Sequence, residues 1–402
     1  MDPKKTIKNI QGQSKQKTDL REGSGSRRSK ESQKYSQFSS EGNDDILSRI
    51  PFAGSPSKST LSVAIPASIA GNAQSFELRA YLVGQIARIL SVFGVDEIII
   101  YEDKCKDITD NENRSSKEWV EFACSKWMEF FVKNLKYLET PQYLRKSLFK
   151  FDNDFKFAGL QNPIDAPHHM RISEWLPYRQ GVIVPAPKLF KGPILPENKN
   201  KGSWVNCGLP VEAWIDTKIE NNTKVTIKMS KESENLHKKL CSDFKKFGRY
   251  PEIKSYFVGK LVDDSAPYSK KGIYWGYKVR PANSLKSVFS DSEYEGGYDL
   301  KIGTSERGEP IDKNFRLFSK NQNSKSQSFR HILIVFGGLG GLEDVLSDPQ
   351  CSLDKVKDPS SLFDMYINIC PEQRSRTIRT EEALGLTLAL LRPHLLENNK
   401  NL

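Results

Sequence analysis

The chain has 402 residues, of which 37% are hydrophobic and 28% charged, and its 61 Lys and Arg outnumber its 50 Asp and Glu. This composition is typical of a globular protein with one or two domains, and it excludes a wholly disordered or fibrous chain. The longest nearly apolar run, Ala383 to Leu391, has nine residues, about half of what a bilayer span needs, so we expect no membrane span. The net charge of +11 favours a polyanionic partner such as RNA.

The N-terminal segment differs from the rest of the chain. Its first 45 residues hold only six apolar side chains, too few to offset the entropy of ordering that stretch. We predict a disordered basic tail over residues 1–58, which either contacts RNA or an import receptor or only adds solubility. The six cysteines never approach Cys-x-x-Cys spacing and there are five histidines, so we expect reduced thiols and no metal site.

Strand and helix patterns alternate after this tail. The apolar run Leu61 to Ile65 predicts a buried strand, a helix should follow and stop near Gly94, and Glu97 to Tyr101 predicts a second buried strand. Strand, helix and strand in this order favour a parallel α/β sheet. A long helix is predicted from Lys117 to Tyr137, with an aromatic stripe that more often belongs to a core than to a cofactor site.

Between about residues 189 and 290 the sequence pattern changes to short β-rich runs, including 211–215, 225–229, 256–262 and 273–279. These runs predict a small β-barrel inserted into the α/β unit. Basic residues and aromatic residues interleave in its middle, as in surfaces that bind single-stranded nucleic acid. The alternative is that most of these aromatic side chains are barrel core and that the lysines are a solvated loop.

Two polar turns follow predicted buried strands in the C-terminal part. Ile332 to Phe336 leads into the glycine run Gly337 to Gly341, and Asp364 to Ile369 leads into a loop that ends at Thr380, the predicted N-cap of a helix. Ligands of parallel α/β sheets usually bind at the carboxyl ends of strands. The glycine run lacks the Gly-Lys-Ser/Thr of a P-loop and the third glycine of a dinucleotide fingerprint. Taken alone, it is either a tight turn or a nucleoside site.

Five segments carry a resemblance to a known family: FGGLGGLEDVL (336–346), LFDMYINICPEQRSRTIRTEEALGLTLALLRP (362–393), YLVGQIARIL (81–90), VDEIII (95–100) and DAPHHMR (165–171). In these segments the chain resembles the eukaryotic and archaeal SPOUT-class RNA methyltransferases. The resemblance implies a trefoil-knotted α/β domain built from residues 59–188 and 291–402, with an OB-like barrel inserted over 189–290. It also implies S-adenosylmethionine as cofactor and a homodimer, in which Leu384, Leu388 and Leu391 would line the seam or fill the core.

The resemblance also implies site residues. The cofactor pocket would be built from Gly337, Gly338, Leu339, Ile367, Asn368, Cys370, Gln373, Thr377, Ile378, Arg379, Thr380, Glu381, Glu382 and Ala383. If the acceptor is a pyrimidine ring nitrogen, a cation near the adjacent carbonyl would stabilise the developing anion, and the candidates for this catalytic role are Arg88, Arg376 and Arg379. Contacts to the RNA substrate are predicted from the residue patterns themselves, at His168, His169, Arg171, Lys245, Lys246 and Arg249. Glu372 and Arg374 stand where family members more often have small residues.

Two functions of different classes remain open at this point. The first is an S-adenosylmethionine-dependent methyltransferase that acts on a ribosomal RNA base. The second is a non-catalytic RNA-binding factor on the same fold, in ribosome assembly or as a mitotic scaffold. The basic tail and an RNA substrate favour the nucleus and nucleolus over the cytosol.

Overall fold

The fold is described from a computed structural model that covers residues 56–103, 116–186, 201–250, 253, 255–312, 314–320, 328–347, 353 and 356–402, with the backbone alone over 116–125. Apart from residues 56–58, the predicted basic tail lies outside the described residues. So do the side chains of the first part of the predicted aromatic stripe, up to residue 125. The later part of that stripe is core, because Phe130 and Phe131 are buried.

Six parallel strands form the main sheet, which confirms the predicted parallel α/β architecture. They are β1 (Thr60–Pro66), β2 (Glu97–Tyr101), β8 (Lys278–Ala282), β9 (Leu300–Pro310), β10 (His331–Val335) and β11 (Met365–Asn368), in the spatial order β11-β9-β10-β1-β2-β8. The central strands β1, β2 and β10 are mostly apolar and buried, as expected for strands with helices on both faces of the sheet.

Helices α1 (Phe76–Phe93), α2 (Ser116–Glu139) and α8 (Thr380–Asn401) pack on one face of the sheet. The short helices α6 (Leu285–Ser290) and α7 (Gly341–Leu346) pack on the other. Helix α1 begins at Ser75, whose hydroxyl accepts from the Leu78 N–H, and ends at Gly94, whose φ of 71° only glycine adopts readily. The predicted stop at this glycine is therefore confirmed.

A closed five-stranded barrel is present, as predicted. Its strands are β3 (Tyr178–Val184), β4 (Ser203–Asn206), β5 (Ala213–Ile215), β6 (Lys224–Met229) and β7 (Phe257–Val262), in the order β3-β4-β5-β7-β6. Helices α3 (Gln142–Leu148), α4 (Lys231–Phe247) and α5 (Ala266–Lys271) flank these strands in the sequence. None of the helices in the described part of the chain has the length and apolar character needed to cross a membrane.

The barrel strands run from Tyr178 to Val262, whereas the sequence places the insert over 189–290. The run 273–279, predicted as a barrel strand, instead leads into β8, which pairs with β2 at the edge of the parallel sheet. The sequence pattern of a short strand is the same in a barrel and at the edge of a parallel sheet, because the pairing partner alone decides which sheet the strand joins. Trp275 and Tyr277 in this run are buried, as core aromatics rather than exposed stacking surfaces.

The last helix fills the core. Leu384, Leu388 and Leu391 are each 0% exposed and pack in the same cluster as the apolar face of α1. Of the two roles left open for these leucines, the structure therefore assigns the core and not the surface of a dimer seam. The exposed apolar side chains of α8 are Leu386 and Leu390.

Candidate active site

The first wall of the site is the glycine turn after β10. Its entry is fixed by the buried Tyr101 hydroxyl, which donates to the Phe336 carbonyl at 2.6 Å. The turn closes on itself, because the Gly341 N–H donates to the Gly338 carbonyl at 3.1 Å and Gly341 has a φ of 75°. A Cβ on Gly337 would lie 2.6 Å from the carbonyl carbon of Gly341 and 2.7 Å from the Leu342 nitrogen. The turn therefore presents backbone without side chains at this point.

The second wall is the loop after β11. It leaves the strand at Asn368, whose side-chain oxygen accepts from the Cys370 N–H at 2.9 Å. The Gln373 amide donates back to the Ser375 carbonyl at 3.1 Å and compacts the loop. Glu372 and Arg374, where the resemblance implies a departure from the family pattern, are both largely exposed, and their charged groups are 3.9 Å apart. Neither of them lines the site.

Helix α8 joins the two walls at its first residue. The Thr380 hydroxyl donates to the Gly337 carbonyl at 3.1 Å, so the helix start is tied to the glycine turn. Thr380 is thus the first helical residue, and the prediction that it is the N-cap is wrong, because Arg379 occupies that position. The Glu382 carboxylate accepts from the Arg379 N–H at 2.9 Å and satisfies one of the unpaired donors of the first turn.

The walls enclose a cleft of about 280 Å³ at the carboxyl edge of the sheet. Turns that are separate in sequence therefore meet at one site. The predicted cofactor residues that line it are Gly337, Gly338, Leu339, Asn368, Gln373, Thr377, Ile378, Thr380 and Ala383, and the predicted catalytic Arg376 lines it as well.

Other predicted residues lie beside the cleft and do not line it. Among the predicted cofactor residues these are Ile367, Cys370, Arg379, Glu381 and Glu382. Ile367 is buried in the core, and the Arg379 guanidinium lies 3.9 Å from Glu381. Arg88 on α1 donates to the Ile164 carbonyl at 2.5 Å and so holds the segment before the barrel.

A third wall, which the sequence did not predict, comes from the outer half of β9. Thr304, Ser305, Glu306 and Arg307 all line the cleft. Pairing between β9 and β11 jumps from Gly303 opposite Tyr366 to Glu309 opposite Ile367. The five residues in between therefore bulge out of the ladder. The available signal was a polar stretch bounded by Gly303 and Gly308, directly after the apolar positions Leu300 and Ile302.

Asn368 connects two of these walls, since its amide nitrogen donates to the Glu306 carbonyl at 2.8 Å while its oxygen holds Cys370. Two hydrogen bonds are worth about 1–3 kcal/mol together. We therefore expect Asn368→Ala to weaken binding of a nucleoside ligand in the cleft about tenfold, measured by calorimetry. The matched control is Asn314→Ala, because Asn314 lies outside the cleft. Equal affinities of the two variants would contradict this role.

The two predicted substrate histidines lie away from the cleft, between the sheet and the barrel. The Glu139 carbonyl lies 2.9 Å from Nε2 of His168 and 2.6 Å from Nε2 of His169. His168 is 0% exposed, so in this structure it does not meet RNA. Arg171 is exposed, and its N–H donates to Glu174 at 2.7 Å. The DAPHHMR segment thus anchors the barrel to the sheet, with Lys224 of the barrel 2.7 Å from the Glu139 carboxylate.

This junction predicts acid sensitivity. Burial and the neighbouring His168 lower the pKa of His169 to about 3. Burial alone would raise the pKa of Glu139, but Lys224 and His168 outweigh it and lower that pKa to about 2. In the unfolded chain His169 takes up a proton near pH 6.5, and in the folded chain it does not. The contribution of His169 to the free energy of unfolding is therefore complete above pH 6.5 and is lost as the pH falls towards 3.

We expect His169→Asn to flatten this fall. Between pH 6.5 and pH 4 one proton contributes a slope of up to about 1.4 kcal/mol per pH unit, which the variant lacks. Urea unfolding of both proteins at several pH values measures the slopes. Parallel curves for the two proteins would contradict the prediction.

A basic surface with aromatic side chains lies at the end of α4. Lys245, Lys246 and Arg249 are exposed, and so are Phe244 and Phe247, at 44% and 68%. The Phe244 ring lies 4.7 Å from that of Tyr250. Of the other aromatic residues of the segment, Phe257 and Trp275 are buried, Tyr250 packs against the barrel core, Tyr277 belongs to the core of the sheet and Tyr274 packs against it. The alternative of core aromatic residues is therefore confirmed for this part of the pattern, while the RNA contacts stay a prediction. This surface, defined here as residues 244–249, has the charge and the ring faces that bind single-stranded nucleic acid.

The chemistry of the cleft suits a nucleoside-bearing ligand. The glycine turn leaves no room for a Cβ at Gly337 and presents bare backbone there. The edge of a flat ring can therefore approach the backbone N–H and C=O groups. Ile378 and Ala383 add apolar surface, and Thr377 and Gln373 add polar groups. Across the described ranges, no cluster of three or more His, Cys, Asp or Glu could hold a metal ion.

Comparisons with known proteins agree with this chemistry. A family model described as "Putative RNA methyltransferase" matches residues 60–391. The 28S rRNA (uridine-N(3))-methyltransferase of Homo sapiens is 42% identical over 340 residues, which cover 84% of this chain and 79% of that protein. The protein of the same name from Mus musculus is 41% identical over 343 residues, covering 84% and 77%. "Putative methyltransferase spot-1" of Caenorhabditis elegans is 30% identical over 354 residues, covering 84% and 81%.

Proposed function

Because the chain belongs to this family of RNA methyltransferases, we propose that it methylates a ring nitrogen of a ribosomal RNA base, with uridine N3 as the acceptor. The observation that carries this proposal is that the bulge of β9 and the turns after β10 and β11 meet around one cleft. Similarity to the uridine-N3 methyltransferases over most of both chains supports the choice of base and atom.

We propose S-adenosylmethionine as the methyl donor. Gly337, Gly338 and Leu339 would hold one side of it, and Gln373, Thr377 and Ile378 the other. When bound, it supplies an electrophilic methyl group on a positively charged sulfur. The contribution of the protein is then to place the acceptor nitrogen in line and to exclude water.

A cation beside the acceptor would complete the chemistry. Loss of the N3 proton leaves negative charge shared with the neighbouring carbonyl oxygens, and a guanidinium stabilises that charge. Of the three candidate arginines we favour Arg376, because it lines the cleft. The Arg379 side chain lies near Glu381, and Arg88 is held by the Ile164 carbonyl, so either would need to move or to serve a second subunit.

The surface of residues 244–249 is proposed to hold the RNA, and it predicts a salt-dependent effect. We expect replacement of Lys245, Lys246 and Arg249 by Ala to weaken binding of a ribosomal RNA fragment about tenfold at moderate salt. The slope of log affinity against log salt should fall by roughly 2, at about 0.7 per lost contact to single-stranded RNA. Filter binding at several salt concentrations measures both. The control replaces Lys270, Lys271 and Lys286, which are also exposed, and an equal loss there would contradict the assignment.

Four further features belong to the same proposal. They are a trefoil knot near the cleft, an OB-like topology of the barrel, a homodimer and a location in the nucleus and nucleolus. The knot is supported by the return of α8 to the centre of the sheet after β11 at its edge. A homodimer is supported by the exposed apolar residues Leu386 and Leu390 on α8 and Leu78 and Tyr81 on α1. Light scattering of the purified chain tests the dimer.

Two measurements test the proposed function against a non-catalytic RNA-binding role. Calorimetric titration with S-adenosylhomocysteine should show a single site on the wild-type chain. Incubation with labelled S-adenosylmethionine and ribosomal RNA from cells depleted of this protein should place label at N3 of uridine. Binding of RNA without cofactor binding or label would favour the assembly or scaffold role instead.

A further inference from the structure

Glu306 differs from the other charged residues of the cleft in how it is held. It lies in the bulge 304–308, which lines the cleft together with the glycine turn, and pairing of β9 with β11 resumes at Glu309. The bulge is fastened at two points, because the Thr304 hydroxyl donates to the Val335 carbonyl at 3.2 Å and Asn368 donates to the Glu306 carbonyl at 2.8 Å. The backbone of Glu306 is therefore anchored to the two strands that carry the other walls.

The Glu306 carboxylate can accept a proton because it is not engaged by another described side chain, whereas the neighbouring Arg307 guanidinium is engaged. Within the part of the chain that the structure describes, its carboxylate makes no hydrogen bond and no ion pair. The adjacent Arg307 lies 3.7 Å from Glu343, and the Tyr366 hydroxyl lies 3.3 Å from the same carboxylate of Glu343. Arg307 is thus engaged by Glu343 and does not neutralise Glu306. A carboxylate on an anchored backbone at the cleft is what a proton acceptor requires.

We propose that Glu306 is the general base that takes the N3 proton from the acceptor uridine, an inference that rests on the proposed function. The N3–H bond breaks, its electron pair stays on nitrogen, and the proton passes to a carboxylate oxygen of Glu306. The nitrogen then forms its bond to the methyl carbon while the carbon–sulfur bond of the donor breaks, with that electron pair remaining on sulfur. Arg376, in the loop after β11, stabilises the charge that the uracil carbonyls carry between these events.

The chemistry explains why a base belongs here. The N3 proton of uridine dissociates little at neutral pH, so its nitrogen lone pair is a poor nucleophile until the proton leaves. A positioned base typically contributes 10² to 10⁴ in rate. The base lies on a different strand from the proposed holders of the cofactor, since Glu306 belongs to β9 and those residues follow β10 and β11.

The test compares Glu306→Gln with Glu309→Gln, an exposed glutamate of the same strand that does not line the cleft. We expect Glu306→Gln to lower kcat about 100-fold at neutral pH. Calorimetry with S-adenosylhomocysteine and filter binding with the RNA should give both variants affinities within twofold of wild type. The N3–H of 5-fluorouridine is more acidic than that of uridine. Ribosomal RNA fragments transcribed with 5-fluorouridine should therefore raise the rate of Glu306→Gln at least tenfold and change the wild-type rate much less.

Each other result has a definite meaning. Equal rates of Glu306→Gln and Glu309→Gln overturn the inference, and so does a rate loss that 5-fluorouridine leaves unchanged. If the wild-type chain binds no S-adenosylhomocysteine and transfers no methyl group, the proposed function fails instead. The two failures are therefore distinguished by the wild-type protein alone.

Discussion

Gly337→Ala should abolish measurable cofactor binding. The added Cβ would lie 2.6 Å from the Gly341 carbonyl carbon and 2.7 Å from the Leu342 nitrogen, and both atoms belong to the backbone. Backbone cannot move aside as the end of a side chain can, so the turn must open. We expect the dissociation constant of S-adenosylhomocysteine to rise at least about 100-fold, a loss of roughly 2.7 kcal/mol, and methyl transfer to fall in parallel.

The matched control lies in the same turn. The three atoms nearest to a Cβ on Gly340 all belong to the carboxylate of Asp344, the end of a side chain, and the φ of Gly340 is −92°, which any residue adopts. Gly340→Ala should therefore bind S-adenosylhomocysteine within about threefold of wild type. Circular dichroism of both variants tests whether they are folded. Equal weakening by the two substitutions would mean that the shape of the turn at Gly337 does not determine binding.

The buried strands and their carboxyl ends were predictable from the sequence. Leu61 to Ile65 and Ile332 to Phe336 are buried and apolar except at Ser62, as is typical of strands covered on both faces. Parallel strands place their carboxyl ends at one edge of the sheet, so polar turns after two such strands were expected to meet. The link between Thr380 and Gly337 is the contact that this argument required.

The bulge on β9 could not be predicted in the same way. Only Leu300 and Ile302 mark the strand before Gly303, and a bulge depends on pairing with β11, more than 60 residues later. Local periodicity carries no information on such long-range register. The same reason explains why β8 was assigned to the barrel, and why His168 and His169, which look like candidates for substrate contact, turn out to pack at a domain junction.

That junction depends on one buried arginine. Arg179 on β3 is 0% exposed, and its guanidinium donates to the carbonyls of Cys207, Glu174 and Arg171 at 2.8, 3.0 and 3.1 Å. These carbonyls belong to the segment before the barrel and to the end of β4. A single side chain therefore joins these two stretches of chain. Its planar guanidinium can donate to several acceptors at once.

Arg179→Met should destabilise the fold by about 3–4 kcal/mol. Methionine fills part of the volume but has no donor, so three carbonyl groups lose their partner at about 1–3 kcal/mol for each one that stays buried. Arg179→Lys keeps the charge but reaches fewer acceptors, and we expect roughly half that loss. Urea unfolding, followed by tryptophan fluorescence, measures the free energy of unfolding. The control Arg171→Met alters an exposed side chain and should change it by less than about 0.5 kcal/mol. If Arg179→Met matched this control, the hydrogen bonds of Arg179 would contribute nothing to holding the barrel segment in place.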